Sequence, residues 1–351
     1  MPRRFAARNP FVGGIVKVLG FGQDDRNRIS ILSVGGILRC VGCYPLDCHS
    51  PPSVDVQRFF VTWCRNRSCA TNVRACRLML AFVDSAAVLG ITATFVVAFI
   101  VGIALARTRL AWLAIAAAYA TALALTVGFA VSPLTVARKT MLVGLLAPLV
   151  GIAFDLTPRA SRAIAPALAI VAGALSVWVF LAILQQRDAM PAFGTGLGIA
   201  AFVATLVGAT LALRDDGLRI GAAGLGLGLA TGICGVLSAS IGYLIAGVTV
   251  AAAAGALLLV QVVLSRNLVA GFIGGLSIGA LTALFAAGSL LLAELPWYAL
   301  PLMLLVPAAV ALPAPGRAPR IVRAAVLAAY ALVAAAFPIL AAWYAARGSL
   351  T

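Results

Sequence analysis

Long apolar runs separated by short polar connectors make up the chain from Met79 onward. Most of these runs are close to the roughly 20 residues that an α-helix needs to cross a bilayer core about 30 Å thick. A helix satisfies its backbone hydrogen bonds within one segment, as the lipid interior requires. The pattern therefore predicts an all-α polytopic integral membrane bundle. The single predicted spans cover residues 85–106, 110–131, 141–154, 163–184, 193–213, 268–292, 297–312 and 324–346.

One further segment, residues 220–264, contains no charged residue over 45 positions. This is more than twice the length that one span needs, so the segment is predicted to fold back as a hairpin with its turn near residues 238–243. The hairpin brings the count to about ten transmembrane helices. The segments 141–154 and 297–312 are short, and reading them as re-entrant leaves eight or nine spans.

The composition excludes an ordinary soluble domain, because 63% of the residues are hydrophobic and only 10% are charged. A net charge of +16 would suggest nucleic-acid binding in a soluble protein. Here the basic residues of the membrane part lie between apolar runs, which is typical of membrane topology. We therefore expect the lipid bilayer as a partner and no nucleic acid. We expect a multi-pass protein of a cell membrane, the inner membrane of a bacterium.

The first 78 residues differ from the rest of the chain. They hold six of the seven cysteines, the single histidine and twelve of the 26 basic residues. We interpret residues 1–78 as a poorly structured Cys/Arg-rich extension or a start-site artefact, because no methionine lies between Met1 and Met79. A metal site is the weaker alternative, since thiolates with two residues between them can bind one zinc or iron ion. Its ligands would be Cys40, Cys43, Cys48 and His49.

Basic residues are distributed unevenly between the connectors of the predicted bundle, residues 79–351. Ten lie in connectors that follow odd-numbered spans, and four lie in the other connectors and the C-terminus. Because basic connectors stay in the cytoplasm, both ends of the bundle are predicted to lie outside. The extension adds Arg65, Arg67, Arg74 and Arg77 beside the first span and nearly removes this bias.

Titratable groups are sparse within the predicted spans. No histidine follows His49, and all six carboxylates of the bundle fall at or beyond span ends. Asp84 and Glu294 are interpreted as interfacial carboxylates that are solvated or that cap helices. General acid–base chemistry needs titratable groups. We therefore expect no enzymatic activity and no cofactor. Trp112, Trp297 and Trp343 lie near span ends, as interfacial anchors do.

Glycines and uncharged polar residues are the remaining candidates for function. Gly228 with Gly232, and Gly271 with Gly275, have the spacing of small residues that lets two helices approach closely. We favour helix packing over a flexible helix beside a substrate path. Five polar residues are candidates for a substrate pathway, and they are Thr231, Ser238, Ser240, Tyr243 and Gln261.

Two classes of function remain. The first is a carrier or permease for a small uncharged or amphipathic solute, because the bundle offers hydroxyls and amides but few charges. The alternative is a non-catalytic membrane scaffold or subunit of a larger complex, which docks partner helices or a second copy of the chain. A polar cavity at mid-membrane depth favours the carrier. A solidly packed bundle with an exposed groove of small residues favours the scaffold.

Overall fold

A computed structural model describes residues 21–24, 28–31, 89–108, 110–126, 136–157, 163–238, 240–293, 295–315 and 318–348. The chain divides into two units, Met1–Val54 and Asp55–Thr351. In the first unit, two short strands form an antiparallel pair, β1 (Phe21–Asp24) and β2 (Arg28–Ile31). The sequence analysis expected no regular structure there. A strand pair of four residues each is too short to show a repeating hydrophobic pattern.

The described part of the second unit is helical. The helices are α1 (Leu89–Ala104), α2 (Leu113–Thr126), α3 (Val136–Asp155), α4 (Ile164–Leu184), α5 (Ala189–Ala212), α6 (Gly217–Leu237), α7 (Ile241–Val263), α8 (Gly271–Leu292), α9 (Ala299–Met303), α10 (Leu305–Ala311) and α11 (Arg320–Gly348).

Six of the described helices, α4 to α8 and α11, are long and apolar enough to cross a membrane. The expectation of a helical multi-pass membrane protein is confirmed at this level. The count of ten spans is not established, because α1, α2 and the α9–α10 pair are shorter apolar helices. The hairpin turn is confirmed, since α6 ends at Leu237 and α7 begins at Ile241.

Several helix boundaries differ from the predicted spans. Helix α3 begins at Val136, so Arg138 and Lys139 lie in its first turn rather than in a connector. Segment 297–312 is two helices rather than one, because Pro307 has no N–H to donate to the carbonyl of Met303. The start of α3 was missed because Arg138 and Lys139 extend this helix beyond its apolar run, and a hydropathy pattern detects only the apolar run.

Helix α8 lies at the centre of the bundle and packs against α2 to α7. In its most apolar stretch, 83% of the residues are buried, compared with 33% in α11 at the periphery. The interpretation of Trp112 as an interfacial anchor is wrong. Its side chain is fully buried, and its indole Nε1 lies 3.4 Å from the backbone oxygen of Leu268 as a hydrogen-bond donor.

Candidate functional site

An apolar groove runs along α5 and is closed on its other side by the end of α8 and by α9–α10. Its volume is about 600 Å³, which is within the range of small-molecule sites. The α5 side consists mainly of small, exposed residues, Gly194, Gly198, Ala201 and Thr205. Their spacing places them on one helix face over a length of about 16 Å. We call this feature the α5 groove.

The wall opposite α5 is formed by larger apolar side chains. These are Leu290 and Leu291 from α8, and Leu300, Pro301 and Leu304 from α9–α10. The hydroxyl of Thr205 donates to the carbonyl of Ala201 at 2.7 Å, so it is satisfied within its own helix. The interior of the α5 groove is therefore suited to a hydrocarbon chain.

The charged residue that lines the α5 groove lies at one end of it. Arg187, in the turn before α5, is exposed, and it has no carboxylate partner among the described residues. Trp297 lies at the same end, with 73% of its surface exposed. An apolar groove with an indole and a guanidinium at one end is suited to an amphipathic molecule. The polar part of the molecule would lie at that end, and the apolar part would lie along the groove.

The five polar residues predicted for a pathway do not converge on one cavity. Thr231 is fully buried and donates to the carbonyl of Leu227, and Ser238 donates to the carbonyl of Cys234. Tyr243 lies against Gly288 of α8. Ser240 and Tyr243 are at the start of α7, whereas Gln261 is 18 residues further along, about 27 Å away along the helix axis.

Gln261 is nevertheless the most unusual of these side chains. It is fully buried, and neither its Oε1 nor its Nε2 has a hydrogen-bond partner among the described residues. The amide faces the start of α6, where a Cβ added to Gly217 would lie 2.8 Å from Oε1. A buried amide without partners costs free energy, because it loses its hydrogen bonds to water.

We predict that Gln261→Met raises the stability of the folded protein. Methionine keeps an unbranched side chain of similar length and removes the two unsatisfied polar atoms, so we expect a gain of about 1 kcal/mol. The melting temperature in detergent micelles measures this effect. The matched control is Gln186→Met at an exposed position, where we expect no gain. A lower melting temperature for Gln261→Met than for the control would show that the amide binds a group that methionine cannot.

The four glycines predicted for helix packing do not all have the same role in the structure. Gly228 and Gly232 of α6 face the backbone of α7, and a Cβ on Gly228 would lie 2.5 Å from the nitrogen of Ala251. Gly275 of α8 faces Leu211 of α5. The structure gives Gly271 a different role, since it is the first residue of α8, its φ is +60°, and an added Cβ would overlap the carboxylate of Asp155.

Asp155 has a role that the sequence analysis did not assign. It is the last residue of α3, and its carboxylate oxygens accept hydrogen bonds from the backbone N–H groups of Phe272 and Ile273, at 2.8 and 3.0 Å. The carbonyl of Arg214 accepts from the N–H groups of Ala270 and Gly271, each at 3.1 Å. The free N–H groups in the first turn of α8 are thus capped by other elements of the bundle.

Some candidates lie outside the described residues. These are the interfacial carboxylates Asp84 and Glu294 and the alternative metal ligands Cys40, Cys43, Cys48 and His49. Among the residues that the structure describes, no cluster of three or more histidine, cysteine or acidic side chains could hold a metal ion.

The α5 groove, with its apolar interior and its single cationic end, is the candidate binding site of the described bundle. Similarity to known proteins adds no assignment to this geometry. Comparison of the chain with family models, with curated proteins and with solved structures gave no match.

Proposed function

We propose that this membrane protein is a carrier or permease for an amphipathic solute, which it binds in the α5 groove. The observation that supports this most is the combination of an apolar channel of about 600 Å³ with Arg187 and Trp297 at one end. A hydrocarbon chain would lie against Gly198 and Ala201. The polar head of the solute would lie beside the guanidinium of Arg187.

The glycines of the α5 groove favour a site for an exchangeable solute over a face that packs against another helix of the bundle. A Cβ added to Gly194 or to Gly198 would meet no atom within 4 Å, so both positions face open space. In contrast, a Cβ on Gly173 of the neighbouring α4 would lie 2.6 Å from the carbonyl oxygen of Ala200. The glycines of the α5 groove are therefore not explained by helix packing within the bundle.

The spacing of Gly194, Gly198 and Ala201 on an exposed helix face favours the scaffold as a second candidate. Small residues at this spacing let a transmembrane helix of another protein approach closely. The two functions differ in what fills the groove. A carrier keeps it open to lipid-like molecules in native membranes, whereas a scaffold keeps it covered until its partner is removed.

Photocrosslinking with a phosphatidylglycerol that has a diazirine in its acyl chain tests the carrier. We expect adducts on residues 194–205, which excess unlabelled phosphatidylglycerol suppresses. Gly198→Leu should reduce these adducts about tenfold, because its side chain occupies the channel. The control is Gly242→Leu, which introduces the same side chain into open space at an exposed position outside the α5 groove.

Each alternative outcome of this crosslinking has a distinct meaning. Adducts that appear on purified protein but not in native membranes would support the scaffold, with a partner helix in the groove. Adducts spread evenly over all lipid-facing helices, and unchanged by Gly198→Leu, would contradict both proposals for the α5 groove.

A further inference from the structure

Three arginines and one aspartate form a cluster at the other end of the bundle from Arg187. Asp216 lies just before α6, Arg219 in the first turn of α6, and Arg320 and Arg323 in the first turn of α11. We call these four residues the arginine cluster. Its formal charge is +2. Asp215 does not neutralise it, because its ion-pair contact is to Arg214, at 3.9 Å.

Asp216 is fully engaged within the arginine cluster. One oxygen, Oδ1, accepts from the N–H of Leu218 at 3.1 Å and so caps α6. The other, Oδ2, accepts from Nη2 of Arg323 at 3.1 Å and lies 3.4 Å from Nε of Arg219. A single carboxylate therefore serves two guanidinium groups and a helix start, and no ion pair joins it to Arg320 among the described residues.

Two donors of the arginine cluster have no acceptor. Nη1 of Arg320 and Nε of Arg323 are both shielded from solvent and have no hydrogen-bond partner in the described part of the chain. Arg219 makes a further bond from Nη1 to the carbonyl of Ala311, at 2.6 Å. Because a charged N–H group that is removed from water without an acceptor is costly, the unsatisfied pair indicates a place for an anion.

The position of the arginine cluster agrees with an anion of the membrane surface. It lies where α6 and α11 begin and α10 ends, beyond the apolar part of these helices. The first turn of α11 adds the partial positive charge of a helix start. Guanidinium groups bind phosphate through paired N–H donors, and basic pockets between transmembrane helices bind phosphate headgroups.

We propose that Arg219, Arg320 and Arg323 form a binding site for a phosphate group, borne by an anionic lipid headgroup or by a soluble phosphate. The phosphate oxygens would accept from Arg320 and Arg323, while Asp216 holds Arg219 and Arg323 in place. This site is independent of the α5 groove and of the function proposed for it, since no residue of the arginine cluster lines the groove.

Native mass spectrometry of the full-length protein in detergent tests the phosphate site. Phosphatidylglycerol is added in one arm and diacylglycerol, which has no phosphate, in the other. Every protein compared, the wild-type reference included, carries Gly198→Leu, because this change blocks the α5 groove, which is also proposed to bind phosphatidylglycerol. We expect this reference to retain phosphatidylglycerol, and Arg320→Gln to bind it about tenfold more weakly. Arg320→Lys keeps the charge without the paired donors and should fall between them.

The matched control is Arg347→Gln at the other end of α11, where the guanidinium stacks on the ring of Trp343 at 3.6 Å. This variant should retain phosphatidylglycerol as the reference does. A second arm compares melting temperatures in phosphate and chloride at equal ionic strength. If the melting temperature is higher in phosphate than in chloride, and Arg320→Gln abolishes this difference, the site binds soluble phosphate. If phosphatidylglycerol is retained but the melting temperature does not rise in phosphate, the site binds the lipid.

Equal retention of phosphatidylglycerol by the reference and Arg320→Gln, without a phosphate effect on the melting temperature, would overturn the proposal. Loss of folding does not confound this result. Nη1 of Arg320 makes no bond within the described residues, and the melting temperature without ligand is measured for every variant.

Discussion

Gly228→Ala should lower the free energy of unfolding by about 2 kcal/mol, through a single methyl group. Helices α6 and α7 cross with their backbones in contact at this point. The added Cβ would lie 2.5 Å from the nitrogen of Ala251 and 2.7 Å from the carbonyl oxygen of Gly247. Both are backbone atoms, so no side chain can rotate away and the two helices must separate.

The control for this prediction is Gly255→Ala, the same change in α7. Its Cβ would meet only the flexible end of Leu225, at 3.7 Å. Alanine is favoured over glycine in a helix interior, so Gly255→Ala should raise stability by about 0.5 kcal/mol. The melting temperatures of both variants in detergent micelles measure the difference. Equal melting temperatures would contradict the close approach of α6 and α7.

Asp155→Ala should destabilise the bundle by about 3 kcal/mol, because it removes both acceptors that cap α8 from α3. The N–H groups of Phe272 and Ile273 would then be left without partners beside a helix that is mostly buried. Asp155→Asn keeps one carbonyl oxygen and should have about half the effect. The measurement is the melting temperature, together with the fraction of protein that elutes as a single folded species.

Asp188 provides the matched control for Asp155. Asp188 lies just before a long apolar helix, α5, whereas Asp155 lies at the end of α3, and the side chain of Asp188 makes no capping hydrogen bond. We therefore expect Asp188→Ala to change stability by less than about 0.5 kcal/mol. If Asp155→Ala behaves like Asp188→Ala, the cap between α3 and α8 does not contribute to stability.

Hydropathy predicted the positions of the helices because burial in lipid requires long apolar runs. The turn at residues 238–240 followed from the length of an uncharged segment that one helix could not span. The break between α9 and α10 was not predicted, because the apolar run 297–312 continues through Pro301 and Pro307. Prolines often bend membrane helices without ending them.

Contacts between distant parts of the chain could not be predicted from one sequence. Asp155 was placed correctly at a helix end, but the N–H groups that it caps lie 117 and 118 residues away. The burial of Trp112 depends on the segment before α8, which folds over it. The α5 groove forms between α5 and the much later segment from the end of α8 to α9–α10. The small residues of α5, taken alone, are the same types that occur in any packed helix.

The flux of an amphipathic molecule across a membrane tests the central claim most directly. Proteoliposomes are loaded with headgroup-labelled fluorescent phosphatidylglycerol, and dithionite added outside quenches the molecules that reach the outer leaflet. The account predicts faster exchange with the wild type and with Gly242→Leu than in protein-free vesicles, and the protein-free rate with Gly198→Leu. A wild-type rate equal to that of protein-free vesicles would contradict the proposed carrier.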